Sequence, residues 1–289
     1  MKPFSYSIIK LFNHSVRKTL ILLLCSLIFI SCESEKPVEI PVKIIEPETP
    51  SIPLLDYSVT ATFKHDSTAF TEGLLFNNGV LYESTGSPDN LPKLKSVIGV
   101  SDLKTGKLSA KVELDRNIYF GEGIVILNNK IYQATYTNQT GFIYDTKTFN
   151  RVGQFSYINK EGWGMTTDGT NIIMSDGSDM LTFFEPKEFK VIKTISVNEN
   201  RVAVDDINEL EFINGFIYAN IWMTGYIAKI DPATGNIVAK INCTPLNYQI
   251  KNFHPYALEM NGIAYDAEAD KIYVTGKLWP EIYQINFKH

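Results

Sequence analysis

The sequence predicts an all-β fold, a five-bladed β-propeller with four antiparallel strands in each blade. The first observation is a short motif rich in Gly and acidic residues that leads into an apolar run and recurs five times. The second is the spacing, because copies about 40–50 residues apart have the period of propeller blades. The copies are T-E-G-L-L-F at 71–76, G-E-G-I-V-I at 121–126, G-W-G-M-T-T at 162–167, N-E-L-E-F-I at 208–213 and M-N-G-I-A-Y at 260–265.

Each of the first four copies is followed by three more strand-like runs. Apolar and polar residues alternate along the runs, and Gly, Asn or Asp marks the turns, which favours strands over helices. The second runs begin at Val80, Lys130, Asn171, Phe216 and, in the fifth unit, Lys271. The third and fourth runs are predicted at 97–102 and 108–114, 141–145 and 152–156, 181–185 and 191–195, and 226–231 and 237–242.

The fifth unit ends with the run at 282–287 and lacks a fourth strand of its own. Residues 57–64, at the start of the domain, alternate in the same way. We therefore expect the first strand of the domain to pair into the last blade and close the ring.

The N-terminus has the pattern of an export signal. Basic residues precede an apolar segment at 20–30 that meets Ser31 and Cys32, and about a dozen apolar residues is short for a membrane span. A small residue before Cys resembles a bacterial lipoprotein cleavage site; the alternative is an ordinary cleaved signal with an incidental Cys. The lipoprotein interpretation predicts a signal peptide at 1–31, lipid attachment at Cys32, a Pro-rich tether at 32–56 and the propeller at 57–289. The domain would then be anchored to a bacterial membrane in the cell envelope, on its periplasmic or outer-surface side.

Composition limits the chemistry further. A net charge of −5 without a basic cluster argues against nucleic acid as a partner. Cys25 lies in the signal and Cys32 is assigned to the lipid, so Cys243 has no partner for a disulfide. The four histidines show no ligand spacing and no calcium-loop motif is present, so we expect no catalytic metal and no cofactor. An Asp/Asn-rich turn could still hold a structural cation.

The recurring motif places Glu122 between two glycines at the start of an apolar run. A buried carboxylate is costly unless it is paired or put to use, and flanking glycines let a ligand approach the backbone. In a propeller, the starts of the first strands and the ends of the second strands lie on one face, where divergent residues suit a small-ligand pocket. The residues expected there are Glu72, Phe120, Glu122, Trp163, Asn208, Glu209, Asn261, Tyr136, Trp222 and Lys277.

From the residues alone, two kinds of function are compatible with this pocket. A sugar-cleaving enzyme needs two carboxylates, which Glu122 with either Glu72 or Glu209 would supply. A non-catalytic propeller would bind a ligand or a protein at the same face and would not need a buried acid beside an ammonium. Nucleophilic catalysis has less support, because no G-x-S-x-G motif is present.

Ten motifs, in order along nearly the whole domain, resemble the plant-type glutaminyl-peptide cyclotransferases. They are A-F-T-E-G-L at 69–74, Y-E-S-T-G at 82–86, F-G-E-G at 120–123, G-F-I-Y-D at 141–145, E-G-W-G at 161–164, S-D-G at 175–177, N-E-L-E at 208–211, A-N-I-W at 219–222, N-G-I-A-Y-D at 261–266 and T-G-K-L-W-P at 275–280. The resemblance implies a five-bladed propeller that converts the N-terminal Gln of peptides or proteins to pyroglutamate and releases ammonia without a metal.

The resemblance also implies roles for individual residues. Glu122 would be the general acid/base, and Asn208 and Lys277 would hold the glutamine side chain. Trp163 and Trp222 would line the substrate pocket, and we assign Phe120 to substrate binding as well. In this chemistry the α-amine attacks the side-chain amide carbon, so one carboxylate can take a proton from the amine and deliver one to the departing nitrogen. The pKa of Glu122 would have to rise from about 4.3, which burial against Phe120 and Trp163 would achieve.

Two pocket positions depart from the family pattern, and we assign both to substrate binding. Glu72 stands where Gln is usual, and it would either accept a hydrogen bond from the substrate ammonium or raise the pKa of Glu122 by repulsion. Tyr136 stands where the plant enzymes have Trp, and it keeps an aromatic wall while adding a hydroxyl group.

Overall fold

The computed structural model describes residues 51–289, which form a ring of five sheets with four antiparallel strands each; a short parallel strand extends one of these sheets. The predicted five-bladed propeller is confirmed. We number the blades I to V in chain order. The proposed signal peptide, Cys32 and most of the proposed tether lie outside the described residues. No helix within 51–289 is both long enough and apolar enough to cross a membrane.

In blades I to IV the four strands lie in chain order from the ring centre to the outer edge. Blade I contains Thr71–Asn77, Val80–Thr85, Val97–Asp102 and Lys107–Glu113, and blade II contains Gly121–Leu127, Lys130–Thr135, Thr140–Asp145 and Arg151–Ser156. Blade III contains Met165–Thr167, Ile172–Ser175, Met180–Glu185 and Lys190–Ser196, and blade IV contains Ile207–Ile213, Phe216–Ile221, Tyr226–Ile230 and Ile237–Asn242. Blade V contains Met260–Asp266, Lys271–Gly276 and Glu281–Asn286, with Ser58–Lys64 as its outermost strand.

The ring closes as the sequence predicts, because Ser58–Lys64 pairs antiparallel with Glu281–Asn286. Immediately after this strand, the His65 imidazole is buried against Glu83 of blade I, with Nε2 and Oε1 2.9 Å apart. The other ring nitrogen, Nδ1, lies 2.7 Å from the carbonyl oxygen of Trp279. The closing strand is thus fastened to blade V by a β-ladder and to blade I by a buried ion pair.

Three elements were not predicted. Leu54–Leu55 pairs parallel with the outer strand of blade IV, before the predicted start of the propeller at residue 57. Asn198–Glu199 and Val202–Ala203 form a small hairpin between blades III and IV. A helix, Thr244–Phe253, connects blades IV and V, and it has Pro near its start and buries Leu246 and Ile250 one turn apart.

Buried polar side chains join the inner strands of neighbouring blades. Glu209 of blade IV accepts hydrogen bonds from the backbone N–H groups of Leu74 (3.2 Å) and Ile263 (2.8 Å). Burial is the main reason that its pKa lies well above the ordinary value for Glu. Asn261 donates to the Thr71 carbonyl (3.0 Å) and to the Glu72 carboxylate (3.1 Å). Glu209 and Asn261 were expected to line the pocket, and the structure places both in contacts between blades instead.

Candidate active site

A cavity of about 460 Å³ opens on the face where first strands begin and second strands end. Each of the five blades contributes to its walls. All eight residues that the sequence assigned to catalysis or substrate binding line it, namely Glu72, Phe120, Glu122, Tyr136, Trp163, Asn208, Trp222 and Lys277. Residues far apart in sequence are therefore brought to one opening.

The backbone at the start of the inner strands explains how these side chains are aimed. In blades I, II, IV and V the pairing of the first strand with the second is interrupted at the recurring motif, between Thr71 and Gly73, Gly121 and Ile124, Ile207 and Leu210, and Met260 and Ile263. A β-bulge of this kind breaks strict alternation and redirects a side chain. The bulges coincide with Glu72, Glu122 and Asn208, and this is why the pocket residues sit at these positions.

Glycines allow the inner strands to approach each other at the pocket. A Cβ atom on Gly123 would lie 2.5 Å from the carbonyl oxygen of Trp163, and one on Gly164 would lie 2.2 Å from that of Asn208. The backbone N–H of Gly123 donates to the same Trp163 carbonyl at 2.8 Å. Larger residues at these glycines would separate the backbone segments that carry Glu122, Trp163 and Asn208.

Glu122 is a buried acid, with 5% of its surface exposed. Among residues 51–289, its carboxyl group has no hydrogen-bond donor and no ion-pair partner. Burial, followed by the negative charge of Glu72, raises its pKa well above the ordinary value, and the charge of Lys277 opposes the rise only in part. The surroundings therefore favour the protonated form of this carboxyl group, which faces the cavity.

Lys277 is the ammonium group of the pocket, and it is already paired. Its Nζ lies 2.9 Å from Oε1 of Glu72 and 3.3 Å from Oε1 of Glu259, and it sits 4.7 Å from the centre of the Phe70 ring. Burial disfavours the charge, but the neighbouring acids, with Glu72 and Glu259 the strongest of them, outweigh burial and raise the pKa of Lys277. Burial in turn raises the pKa of Glu72 to about 7, even though Lys277 acts in the opposite direction. The sequence did not reveal this pairing.

Aromatic rings form the remaining walls. The rings of Trp163 and Trp222 meet edge to face at 5.7 Å, and Phe120 contacts Tyr136 with ring centres 5.9 Å apart. Each indole N–H is held by a carboxylate, since Trp163 donates to Glu161 at 2.9 Å and Trp222 donates to Glu259 at 3.0 Å. An edge-to-face pair with both polar edges held in this way gives the wall a fixed shape.

Asn208 supplies an amide to the pocket. It is 2% exposed, and its Oδ1 has no hydrogen-bond partner among the described residues. A buried, unpaired amide oxygen is costly, so this atom is suited to accept a hydrogen bond from a ligand.

The sequence reasoning missed Phe70 and Glu259, which line the pocket, and Glu161, which holds the Trp163 ring from outside it. It also missed the loop residues at 87–89, 116–119 and 137–138 that line the pocket. Phe70 could have been found, because it stands before T-E-G as Phe120 stands before G-E-G. Glu161 and Glu259 precede the motifs of blades III and V, but the equivalent positions of the other repeats share no residue type with them.

The arrangement bears on the alternative chemistries. For sugar cleavage, Glu209 is outside the pocket and Glu72 is engaged by Lys277, so neither is a free second carboxylate beside Glu122. Cys243 lies in a hydrophobic cluster away from the pocket, and burial raises the pKa of its thiol to about 12. Within 51–289, no three His, Cys, Asp or Glu side chains are grouped so that they could hold a metal ion.

Comparison with known proteins agrees with the geometry. The profile of the glutamine cyclotransferase family matches residues 25–287. The chain is 39% identical over 235 residues to a glutaminyl-peptide cyclotransferase from Arabidopsis thaliana, a match that covers 81% of this chain and 72% of that protein. It also superposes on the crystal structure of Myxococcus xanthus glutaminyl cyclase with a TM-score of 0.74 and 32% identity, covering 82% of this chain and 98% of that one. The chain belongs to the glutamine cyclotransferase family.

Proposed function

We propose that this protein is a glutaminyl-peptide cyclotransferase that converts the N-terminal Gln of peptides or proteins to pyroglutamate and releases ammonia. The observation that carries the proposal is the Glu122 carboxyl group, buried and unpaired within the described chain, in a pocket with an amide, an ammonium and two fixed indole rings. A protein that only bound a ligand would not need an unpaired acid with a raised pKa facing its pocket.

The reaction needs two proton movements. The α-amine of the substrate attacks the side-chain amide carbon, a C–N bond forms, and the carbonyl oxygen takes up negative charge. Glu122 then donates its proton to the departing nitrogen and takes one from the attacking nitrogen, so the C–N bond to the leaving group breaks and ammonia leaves. The carboxyl group ends in its starting state. General acid–base help of this kind contributes about 10²–10⁴-fold.

The other pocket residues orient the substrate. Lys277 is the cation available to the developing oxyanion, and hydrogen-bond donors aimed at such an oxygen are among the largest contributors to catalysis. The unpaired Oδ1 of Asn208 accepts an N–H from the glutamine amide. Trp163, Trp222, Phe120 and Tyr136 enclose the aliphatic part of the side chain and exclude water. Glu72 acts through its charge on Glu122 and through its ion pair with Lys277.

We also propose that the enzyme is a lipoprotein, anchored through Cys32 to a bacterial membrane and facing the periplasm or the outer surface. The support is the basic and apolar pattern at the N-terminus and the Pro-rich stretch that follows it. Its substrates would then be exported polypeptides that begin with Gln. Replacing Cys32 with Ser should release the protein from the membrane fraction, and unchanged fractionation would contradict the anchor.

The test of the reaction uses the purified full-length protein and two peptides that differ only in their first residue, Gln or Asn. We expect ammonia release and formation of pyroglutamate from the Gln peptide alone. Glu122→Gln should lower kcat by at least about 100-fold while the variant remains folded and binds peptide. Glu211→Gln is the matched control, because Glu211 is an acid enclosed between blades IV and V and does not line the pocket.

Two outcomes would contradict the proposal in different ways. Peptide binding by the wild type without ammonia release would favour a non-catalytic binding propeller. Full activity of Glu122→Gln would leave the reaction standing and remove Glu122 from its role.

A further inference from the structure

Glu259 joins two walls of the pocket through one oxygen atom. It lies just before the first strand of blade V, and its side chain is 14% exposed. Its Oε1 accepts the indole N–H of Trp222 at 3.0 Å and lies 3.3 Å from Nζ of Lys277. Trp222 follows the second strand of blade IV and Lys277 follows that of blade V, so this oxygen connects two blades at the opening.

The backbone around Glu259 is fixed to the same lysine. Leu258 donates its N–H to the carbonyl oxygen of Lys277 at 2.9 Å, and Lys277 donates its own to that of Glu259 at 3.0 Å. The buried indole of Trp279 donates to the carbonyl oxygen of Leu258 at 3.0 Å. A long side chain normally loses much conformational entropy when it forms an ion pair, and here the paired backbones reduce that cost because they already hold Glu259 beside Lys277.

Glu161 makes the indole contact that Glu259 makes, but not the ion pair with Lys277. It accepts the indole N–H of Trp163 at 2.9 Å, as Glu259 accepts that of Trp222. None of the ion pairs of the described chain joins Glu161 to Lys277. The two glutamates therefore differ in their contact with the ammonium, and also in the acid on which their charge acts, which is Glu122 for Glu161 and Glu72 for Glu259.

We infer that Glu259 is a positioning residue for cyclisation, which sets the Lys277 ammonium and the Trp222 ring in the arrangement that the substrate meets. The inference rests on the proposed cyclotransferase function. Without the Glu259 anion, Lys277 would be drawn towards Glu72 alone, the remaining carboxylate at ion-pair distance. A catalytic group displaced by about 1 Å can cost about 100-fold in rate.

The charge of Glu259 has a second effect. The ammonium of Lys277 and the hydrogen bond from Trp222 outweigh burial and keep the pKa of Glu259 below its ordinary value, so it is an anion at neutral pH. That anion contributes to the raised pKa of Glu72. Removing the charge should lower the pKa of Glu72, a change that loss of packing alone would not produce.

The kinetic experiment compares Glu259→Gln with Glu161→Gln in the full-length protein. Both substitutions leave an oxygen that can accept an indole N–H, but only the first removes a charge from Lys277. We expect Glu259→Gln to lower kcat by about 10- to 100-fold. Because Glu161 also contributes to the raised pKa of Glu122, the two variants are compared on the low-pH plateau of the rate, where Glu122 keeps its proton and Glu161→Gln should act mainly on KM. Equal effects of the two variants on kcat, or an unchanged kcat in Glu259→Gln, would overturn the inference.

A second measurement is independent of activity. The chain contains three Trp residues, so the indole N–H signals are few, and Trp222→Phe assigns the one of interest by NMR. We expect the Trp222 signal to follow the titration of the Glu72, Lys277 and Glu259 cluster, with a lower midpoint in Glu259→Gln and a midpoint close to wild type in Glu259→Asp. An identical midpoint in Glu259→Gln and wild type would contradict the inference. A wild type that releases no ammonia would refute the proposed function and leave this test in force.

Discussion

The buried ion pair between His65 and Glu83 should be a major support of the closed ring. His65 follows the strand that closes blade V, and Glu83 lies in blade I with 0% of its side chain exposed. The second oxygen of Glu83 accepts the hydroxyl of Ser101 at 2.6 Å, and Thr71 donates to the first at 2.8 Å. Glu83→Gln keeps the size and the hydroxyl partners of this side chain but removes the charge that balances His65.

The expected loss of stability in Glu83→Gln follows from the burial of the ion pair. Removing one partner of a buried pair costs about 3–5 kcal/mol. For a domain of about 240 residues the unfolding entropy is about 0.5 kcal/mol per degree, so Tm should fall by about 6–10 °C. The matched control is Glu113→Gln, which breaks an exposed pair with Lys95 in the same blade, where the side chains are 62% and 51% exposed. Exposed pairs contribute little, so we expect a change of at most about 2 °C.

The pH dependence of this loss of stability follows from the pKa shifts of His65 and Glu83. Although burial opposes both charges, the partner raises the pKa of His65 above 6.5 and lowers that of Glu83 below 4.5. The His65 contribution is complete below pH 6.5 and disappears as pH rises through its folded pKa. The Glu83 contribution is complete above pH 4.5 and disappears as pH falls through its folded pKa. Differential scanning calorimetry should show the largest loss between pH 4.5 and 6.5, and equal Tm changes for Glu83→Gln and Glu113→Gln there would refute the reasoning.

Three further predictions concern the pocket and its supports. Glu72→Gln removes a negative charge that raises the pKa of Glu122, so the rate should begin to decline at a lower pH than in wild type; an unshifted pH–rate profile would contradict this. Burial raises the pKa of Glu211 to about 8, so the wild type should lose stability as pH rises from 4.5 to 8. At pH 9, Glu211→Gln should therefore have a Tm several degrees higher than the wild type. Equal Tm values of the two proteins at this pH would contradict the prediction. A Cβ on Gly86 would lie 2.1 Å from the Phe120 ring, so Gly86→Ala should displace that ring and raise KM by about tenfold; unchanged KM would show that the ring is not part of the binding wall.

The repeated motif was sufficient to predict the blades, because each inner strand is an apolar run that begins at or next to a copy of the motif. The closing strand was predictable for a similar reason, since the fifth unit ended one strand short. The helix Thr244–Phe253 was missed because two buried residues one turn apart are a weak signal. Its Pro near the first position was the available clue.

The orientation of Glu209 shows where sequence reasoning reaches its limit. In the aligned motifs Glu209 stands at the position of Glu122, but in blade IV the β-bulge between Ile207 and Leu210 turns Asn208 to the pocket and Glu209 to blades I and V. The alternation of side chains along a strand has a period of two residues, and a bulge interrupts it. The alternation therefore cannot predict towards which face of the sheet a side chain at the bulge points. The pairing of Lys277 with Glu259 likewise depends on loop geometry that no local pattern encodes.

The central claim is that Glu122 holds a proton at neutral pH while it faces the substrate pocket. Infrared difference spectra of wild type against Glu122→Gln, recorded in the resting enzyme at pH 7, measure this directly, since Glu209 and Glu211 are common to both proteins and cancel. The account predicts that the difference spectrum contains the C=O stretch of a protonated carboxylic acid in the wild type. A carboxylate band in its place would show that Glu122 is ionised at rest and would contradict the proton transfer assigned to it.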